Sequence, residues 1–206
     1  GAGGVQCVSA PMDAFGVMPD RLGDAQILHC SPSHHFPTGI VTPAARRREL
    51  LRWAEESPER YIIEDDYDSE FRFHSHPVPA LLTMDRRGKV IYMNTFSKTL
   101  APSIRISYMV LPKNLMEQYN QELNFYSCTV SNFEQYTLAN FISEGHFEKH
   151  INRMKNYYRS QRDLMMDCIK KHPQYHRVKI AEENSGLHFL LHVDTTLSDE
   201  ELVKNA

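Results

Sequence analysis

The chain has 206 residues, 41% apolar and 24% charged, with a formal net charge of −3. That balance is globular with ample core, and so small a net charge gives no general electrostatic case for nucleic acid or an anionic membrane. No apolar run approaches the length of a membrane span, and Cys7, Cys30, Cys128 and Cys168 show neither C-x-x-C nor zinc-finger spacing, so no metal is expected.

In chain order, VQCVSAP reads as a short strand and turn, and AQILHC (25–30) as a buried strand bounded by Gly23-Asp24 and SPSHHFPTG. Thr42 is placed to cap a helix with Pro43 at its first position. Leu50, Leu51, Trp53 and Ala54 give that helix an apolar face, and Ser57-Pro58 stops it. YIIED (61–65) is an apolar strand ending in acids. The stretch SEFRFHSHPVPALL is irregular, with His74 and His76 read as loop residues. KVIYMN and RISYMVL are two further strands. NLMEQYNQELNF and NFEQYTLANFISEG follow as helices. A long helix from about His146 to Lys171 carries Phe147, Ile151, Met154, Tyr158, Met165 and Ile169 near one face. HRVKI and GLHFLLHV are strands, and Ser198 with Glu201 forms a capping box for a last helix. Strands alternating with helices predict an α/β fold, a mostly parallel sheet covered by helices on both faces.

Ligands of such sheets sit outside the carboxyl ends of the strands. There the chain offers Asp65 and Tyr67 after YIIED, and Lys98 after VIYMN with Thr95, Ser97 and Arg105 nearby. A lysine in a partly dry pocket has a lowered pKa and forms Schiff bases. Hydroxyls with an arginine suit a phosphate, and a carboxylate held away from water requires a cation or a protonated ring nitrogen. Aldehyde, phosphate and pyridine nitrogen together describe pyridoxal 5'-phosphate.

Four stretches, SPSHHFPTG, YIIEDDYDSEF, VIYMNTFSKTLAPSIRISYMV and HINRMKNYYRSQRD, stand in this order. They strongly resemble the aminotransferase-like domain of the MocR-type regulators. That is a fold-type I pyridoxal-phosphate domain fused to a winged-helix DNA-binding domain of the GntR family. The resemblance covers the chain from about Val5 onward and carries roles with it. Lys98 is implied to bond the cofactor aldehyde and Asp65 to hold the pyridine nitrogen protonated. Tyr67 is implied to meet the ring oxygen, and Thr95, Ser97 and Arg105 to hold the phosphate, with His34 beside the ring. Where many aminotransferases have Asn before Pro-Thr-Gly, this chain has Phe36, so that contact is lost. His35 receives no role.

The resemblance also implies domains. Residues 1–145 form the later part of the cofactor-binding domain, 146–172 the connecting helix and 173–206 the start of a small domain. The glycine-rich phosphate segment and the ring-stacking aromatic are expected before Gly1, together with the winged helix. The arginine for a ligand carboxylate is expected after Ala206. The first functional reading is a cytoplasmic regulator domain, dimeric in the intact protein. It would sense an amino acid or amine by Schiff-base exchange on Lys98 and act on DNA only through the absent N-terminal domain. The second is a true class I/II aminotransferase moving an amino group between an amino acid and a 2-oxo acid. A third is a structural remnant that binds no cofactor.

Plainer readings apply elsewhere. Arg46, Arg47 and Arg48 read as a solvated helix face. Asp66, Asp68 and Glu70 read as surface or hydrogen-bonding residues, and Tyr157 and Tyr158 as packing residues of the long helix.

Overall fold

The structure is a computed structural model that describes residues 4–73 and 78–205. His74 and His76 lie outside the described residues. Among the described residues the first regular element is a hairpin of β1 (Met12–Asp13) and β2 (Gly16–Val17). Gly16 turns the chain at φ +101°, and a Cβ there would meet Thr42 Oγ1 at 2.6 Å, so only glycine serves. The strand expected over VQCVSAP is not formed. Val5 and Val8 are 65% and 75% exposed with no strand beside them, and alternation without a pairing partner gains nothing.

The main sheet has four strands in the order β3 (Ile27–Cys30), β4 (Tyr61–Asp65), β5 (Val90–Thr95) and β6 (Ser107–Val110). The first three run parallel and β6 closes the edge antiparallel. Helix α1 (Ala44–Glu55) links β3 to β4, and the short α2 (Leu81–Met84) precedes β5. The helix begins one residue later than expected, with Pro43 at the cap. Thr42 instead donates its N–H to the Pro32 carbonyl.

The core lies on one face of this sheet. Leu28, Ile62 and Val90 occupy one row and meet Leu50, Leu51, Trp53 and Ala54 of α1 and Leu81 of α2. Ile62, Val90 and Leu81 are fully buried, and each such side chain contributes about 1.5–3 kcal/mol of burial. The other face is open rather than covered. Ile27 is 58% exposed, Met93 37% and Met109 46%. AQILHC is accordingly half-buried, alternating exposed and buried from Ile27 to Cys30.

The arginine run corrects a second expectation. Only Arg48 is exposed. Arg47 is fully buried, donating to the carbonyls of Thr42, Pro79 and Pro32 and lying 3.7 Å from buried Glu64. Arg46 bonds Asp13 and the Val17 carbonyl. A charged triplet on a helix meets three environments within one turn, because successive residues are rotated by about 100°.

Beyond the sheet come α4 (Lys113–Glu122), α5 (Asn132–Ser143) and α6 (His146–Lys171), then the antiparallel pair β7 (Val178–Ala181) and β8 (Leu190–Val193), then α7 (Asp199–Asn205). On α6, Ile151 is buried, Phe147 meets Phe96 edge-on at 5.8 Å and Tyr158 meets Phe71 at 5.2 Å. Ser198 and Glu201 form the expected capping box at α7. The segment between β7 and β8 packs onto the stretch after β4: Phe73 N–H donates to the Asn184 carbonyl, and Gly186 N–H to that of Phe71.

Candidate functional site

The parallel strands β4 and β5 end side by side, with Asp65 opposite Met93. Alternation puts Asp65, Met93 and Thr95 on one face, the open one. Asp65 is half-exposed there, its carboxylate 3.4 Å from His29 Nε2, and His29 stands on the same face of β3. β5 runs directly into the four-residue helix α3 (Phe96–Thr99), capped by Thr95, whose Oγ1 accepts the Ser97 N–H at 3.2 Å. Thr95 Oγ1 also donates to Ser97 Oγ at 3.1 Å, and Ser97 Oγ to the Ile104 carbonyl at 3.2 Å. This hydroxyl pair ties together the connection between β5 and β6, which carries both Lys98 and Arg105. Both are exposed, and neither makes a hydrogen bond or ion pair among the described residues.

The residues therefore fall into two groups on neighbouring strand ends. Thr95, Ser97, Lys98 and Arg105 share one loop. Asp65 and Tyr67 share the next. No hydrogen bond or ion pair joins Lys98 to Asp65 or Tyr67.

Tyr67 is half-buried. Burial pushes its phenol well above the usual tyrosine range, with the nearby carboxylates of Asp68 and Asp65 adding to the rise. Its oxygen lies 3.4 Å from His34 Nδ1. His34 is buried, and the same Nδ1 bonds Asp68 Oδ2 at 2.8 Å. Asp68 Oδ2 also accepts the Leu187 N–H at 3.2 Å. His188, two residues from Gly186, stacks on His34 with ring centres 4.0 Å apart. Burial lowers the His188 pKa, and the neighbouring His34 lowers it further. Phe36 is 69% exposed and meets the His188 ring edge-on at 5.7 Å.

The acids after β4 are less superficial than a solvated turn. Asp66 is buried and accepts from Ser69 Oγ and Tyr92 O–H at 2.7 and 2.8 Å. Asn94 is buried, donates to Glu70 and to the Tyr92 hydroxyl, and accepts the Thr95 N–H, which steadies the strand end before α3. Burial raises the Glu70 pKa. Sequence reasoning missed His29 and His188. Each lies within an apolar strand pattern, ILHC and GLHF, where a histidine interrupts the run.

The family model "Aminotransferase class I and II" matches residues 19–205. The chain belongs to this family. Among its relatives, the HTH-type transcriptional regulator YhdI of Bacillus subtilis is 43% identical over 94% of this chain and 41% of the relative. The probable rhizopine catabolism regulatory protein MocR of Rhizobium meliloti is 33% identical over 98% of the chain and again 41% of the relative. The chain thus spans about two fifths of the curated regulators it matches. Among solved structures, the kynurenine aminotransferase of Pyrococcus horikoshii, in complex with PMP and its substrates and products, aligns with a TM-score of 0.78 at 25% identity. That alignment covers 96% of this chain and 51% of that one. The aminotransferase-like chain therefore has a fold-type I α/β architecture, and its curated relatives include HTH-type transcriptional regulators. No described helix is long and apolar enough to cross a membrane.

Proposed function

We propose that this chain is the pyridoxal-phosphate-binding part of a cytoplasmic, dimeric transcription regulator, sensing an amino acid or amine by exchange at Lys98. One observation carries the reading. In a member of the aminotransferase family, Lys98 stands in the loop leaving β5 while Asp65 ends the adjacent parallel strand. The donor set fits the cofactor. An unpartnered amine and guanidinium share a loop with a hydroxyl pair, and a carboxylate at the open sheet face has only an exposed histidine as partner.

The bound cofactor would supply an aldehyde with which primary amines condense. Lys98 Nζ would hold that aldehyde and be released when an amino compound takes its place. Asp65 would keep a proton on the ring nitrogen, with His29 steadying its carboxylate. Tyr67 O–H would donate to the ring oxygen. Thr95, Ser97 and Arg105 would carry the phosphate, Arg105 by its guanidinium fork. His34 would keep Tyr67 in position. Residues 1–145 would form the cofactor domain, 146–172 the connecting helix and 173–206 the start of a small domain. DNA would be bound through another domain of the intact regulator. The identity to HTH-type regulators favours sensing over turnover. Sustained conversion of an amino acid to its 2-oxo acid would instead favour a class I/II aminotransferase, the activity named for the solved neighbour.

The test is to add pyridoxal phosphate, record the visible spectrum, reduce with borohydride and map the modified peptide. Label concentrated on Lys98, and lost in Lys98→Ala, is expected. Label scattered over surface lysines, or none, would overturn cofactor binding by this chain.

A further inference from the structure

We propose that Asp68 is a positioning residue for the cofactor site: it fixes which nitrogen of His34 carries hydrogen, and so leaves the Tyr67 hydroxyl free to donate to a bound ring. The inference rests on the cofactor reading above and adds a residue to it.

Asp68 is 1% exposed. Two donors reach its carboxylate, and both meet the same oxygen: Oδ2 bonds His34 Nδ1 at 2.8 Å and accepts the Leu187 N–H at 3.2 Å. A carboxylate can only accept, so the hydrogen of the first bond sits on His34 Nδ1. The Tyr67 oxygen lies 3.4 Å from that same nitrogen. A nitrogen that already carries hydrogen cannot take the tyrosine's as well. Tyr67 is therefore on the receiving side of this contact, and its O–H is left to donate elsewhere, in the cofactor reading to the ring oxygen. His188 meets the His34 ring across its face, with ring centres 4.0 Å apart. No other hydrogen bond reaches Nδ1 among the described residues. With Asp68 removed, nothing would hold hydrogen on Nδ1. A bare Nδ1 would then accept from Tyr67 and draw the donor away from the ligand.

The support of Asp68 comes from far along the chain, since Leu187 stands 119 residues on. An antiparallel bridge between Arg72 and Ser185 delivers it, with the Phe73–Asn184 and Gly186–Phe71 backbone hydrogen bonds on either side. Gly186 has φ +70°, and a Cβ there would overlap the His34 ring and the Asp68 carboxylate. Only glycine lets the backbone come this close. The segment between β7 and β8 thus supports the site through Asp68.

Two measurements test this. Nitrogen-15 spectra of the folded chain, taken without cofactor, should place hydrogen on His34 Nδ1. Hydrogen on Nε2 alone would overturn the proposal and needs no variant. Pyridoxal phosphate retention is then measured by equilibrium dialysis. Tyr67→Phe and Asp68→Ala, the latter checked for fold by circular dichroism, should each weaken it by about 10-fold. The double variant should be no weaker than Tyr67→Phe alone, because Asp68 acts through that phenol. Multiplied losses in the double variant, or unchanged retention in folded Asp68→Ala, would overturn the proposal and leave the cofactor reading standing. No label on Lys98 in the unaltered chain would overturn the cofactor reading, and this role with it, whichever nitrogen of His34 carries hydrogen.

Discussion

The two faces of the four-stranded sheet are built from the same strands and do different work. On one, Leu28, Ile62 and Val90 disappear under α1 and α2, and even the charges there, Arg47 and Glu64, are fully buried. On the other, Ile27, His29, Asp65 and Met93 remain exposed or half-exposed. The difference follows from period two. Each strand alternates its side chains, so one set is committed to the core and the next is left for ligands. Stability and chemistry are therefore separable here by choosing odd or even positions on a strand.

Substitutions can break that separation. Arg47→Ala should have the largest effect, about 3–5 kcal/mol in urea unfolding, because it leaves Glu64 buried with its main counter-charge removed. Burial already raises the Glu64 carboxyl pKa and lowers that of Arg47, so neither charge is at ease alone. A cost below 1 kcal/mol would mean the pair is not held as described. Ile62→Ala, on the same face, should cost about 2–5 kcal/mol. Asp65→Asn should leave the unfolding midpoint nearly unchanged, within about 0.5 kcal/mol, while weakening pyridoxal phosphate retention measured by equilibrium dialysis. Loss of stability instead would make Asp65 structural. Ile27→Ser on the open face should also stay within about 0.5 kcal/mol, and a core-like cost would show that face to be covered in solution.

The smallest effect is at the chain's first hairpin. The hydrogen bond from Arg46 holds the Asp13 carboxyl below its ordinary value. A lowered folded-state value contributes stability that is present above the ordinary carboxylate pKa and lost as pH falls through the lowered one. Asp13→Asn should flatten that part of the acid limb of a stability–pH curve. An unchanged limb would remove Asp13 from the balance.

Much was readable from pattern alone. Periodicity located α6 and β4 at their observed bounds, because long 3.6-residue repeats and short apolar runs are strong local signals. Lys98 and Arg105 in one loop, and Asp65 at a strand end, were visible as residue types following strands. VQCVSAP was misread because a strand exists only with a neighbour, and no local pattern supplies one. Arg47 was misread because a helix face is buried or solvated according to what lies over it, and its partners Pro32, Glu64 and Pro79 are remote in sequence. The sequence by itself determined most of the longer elements, the strand-end lysine and the family resemblance, since these depend on short-range order. Only the tertiary structure decided which sheet face is open. It alone brought His34, Asp68 and His188 together across more than half the chain, since burial and convergence belong to contacts between segments and leave no spacing to read.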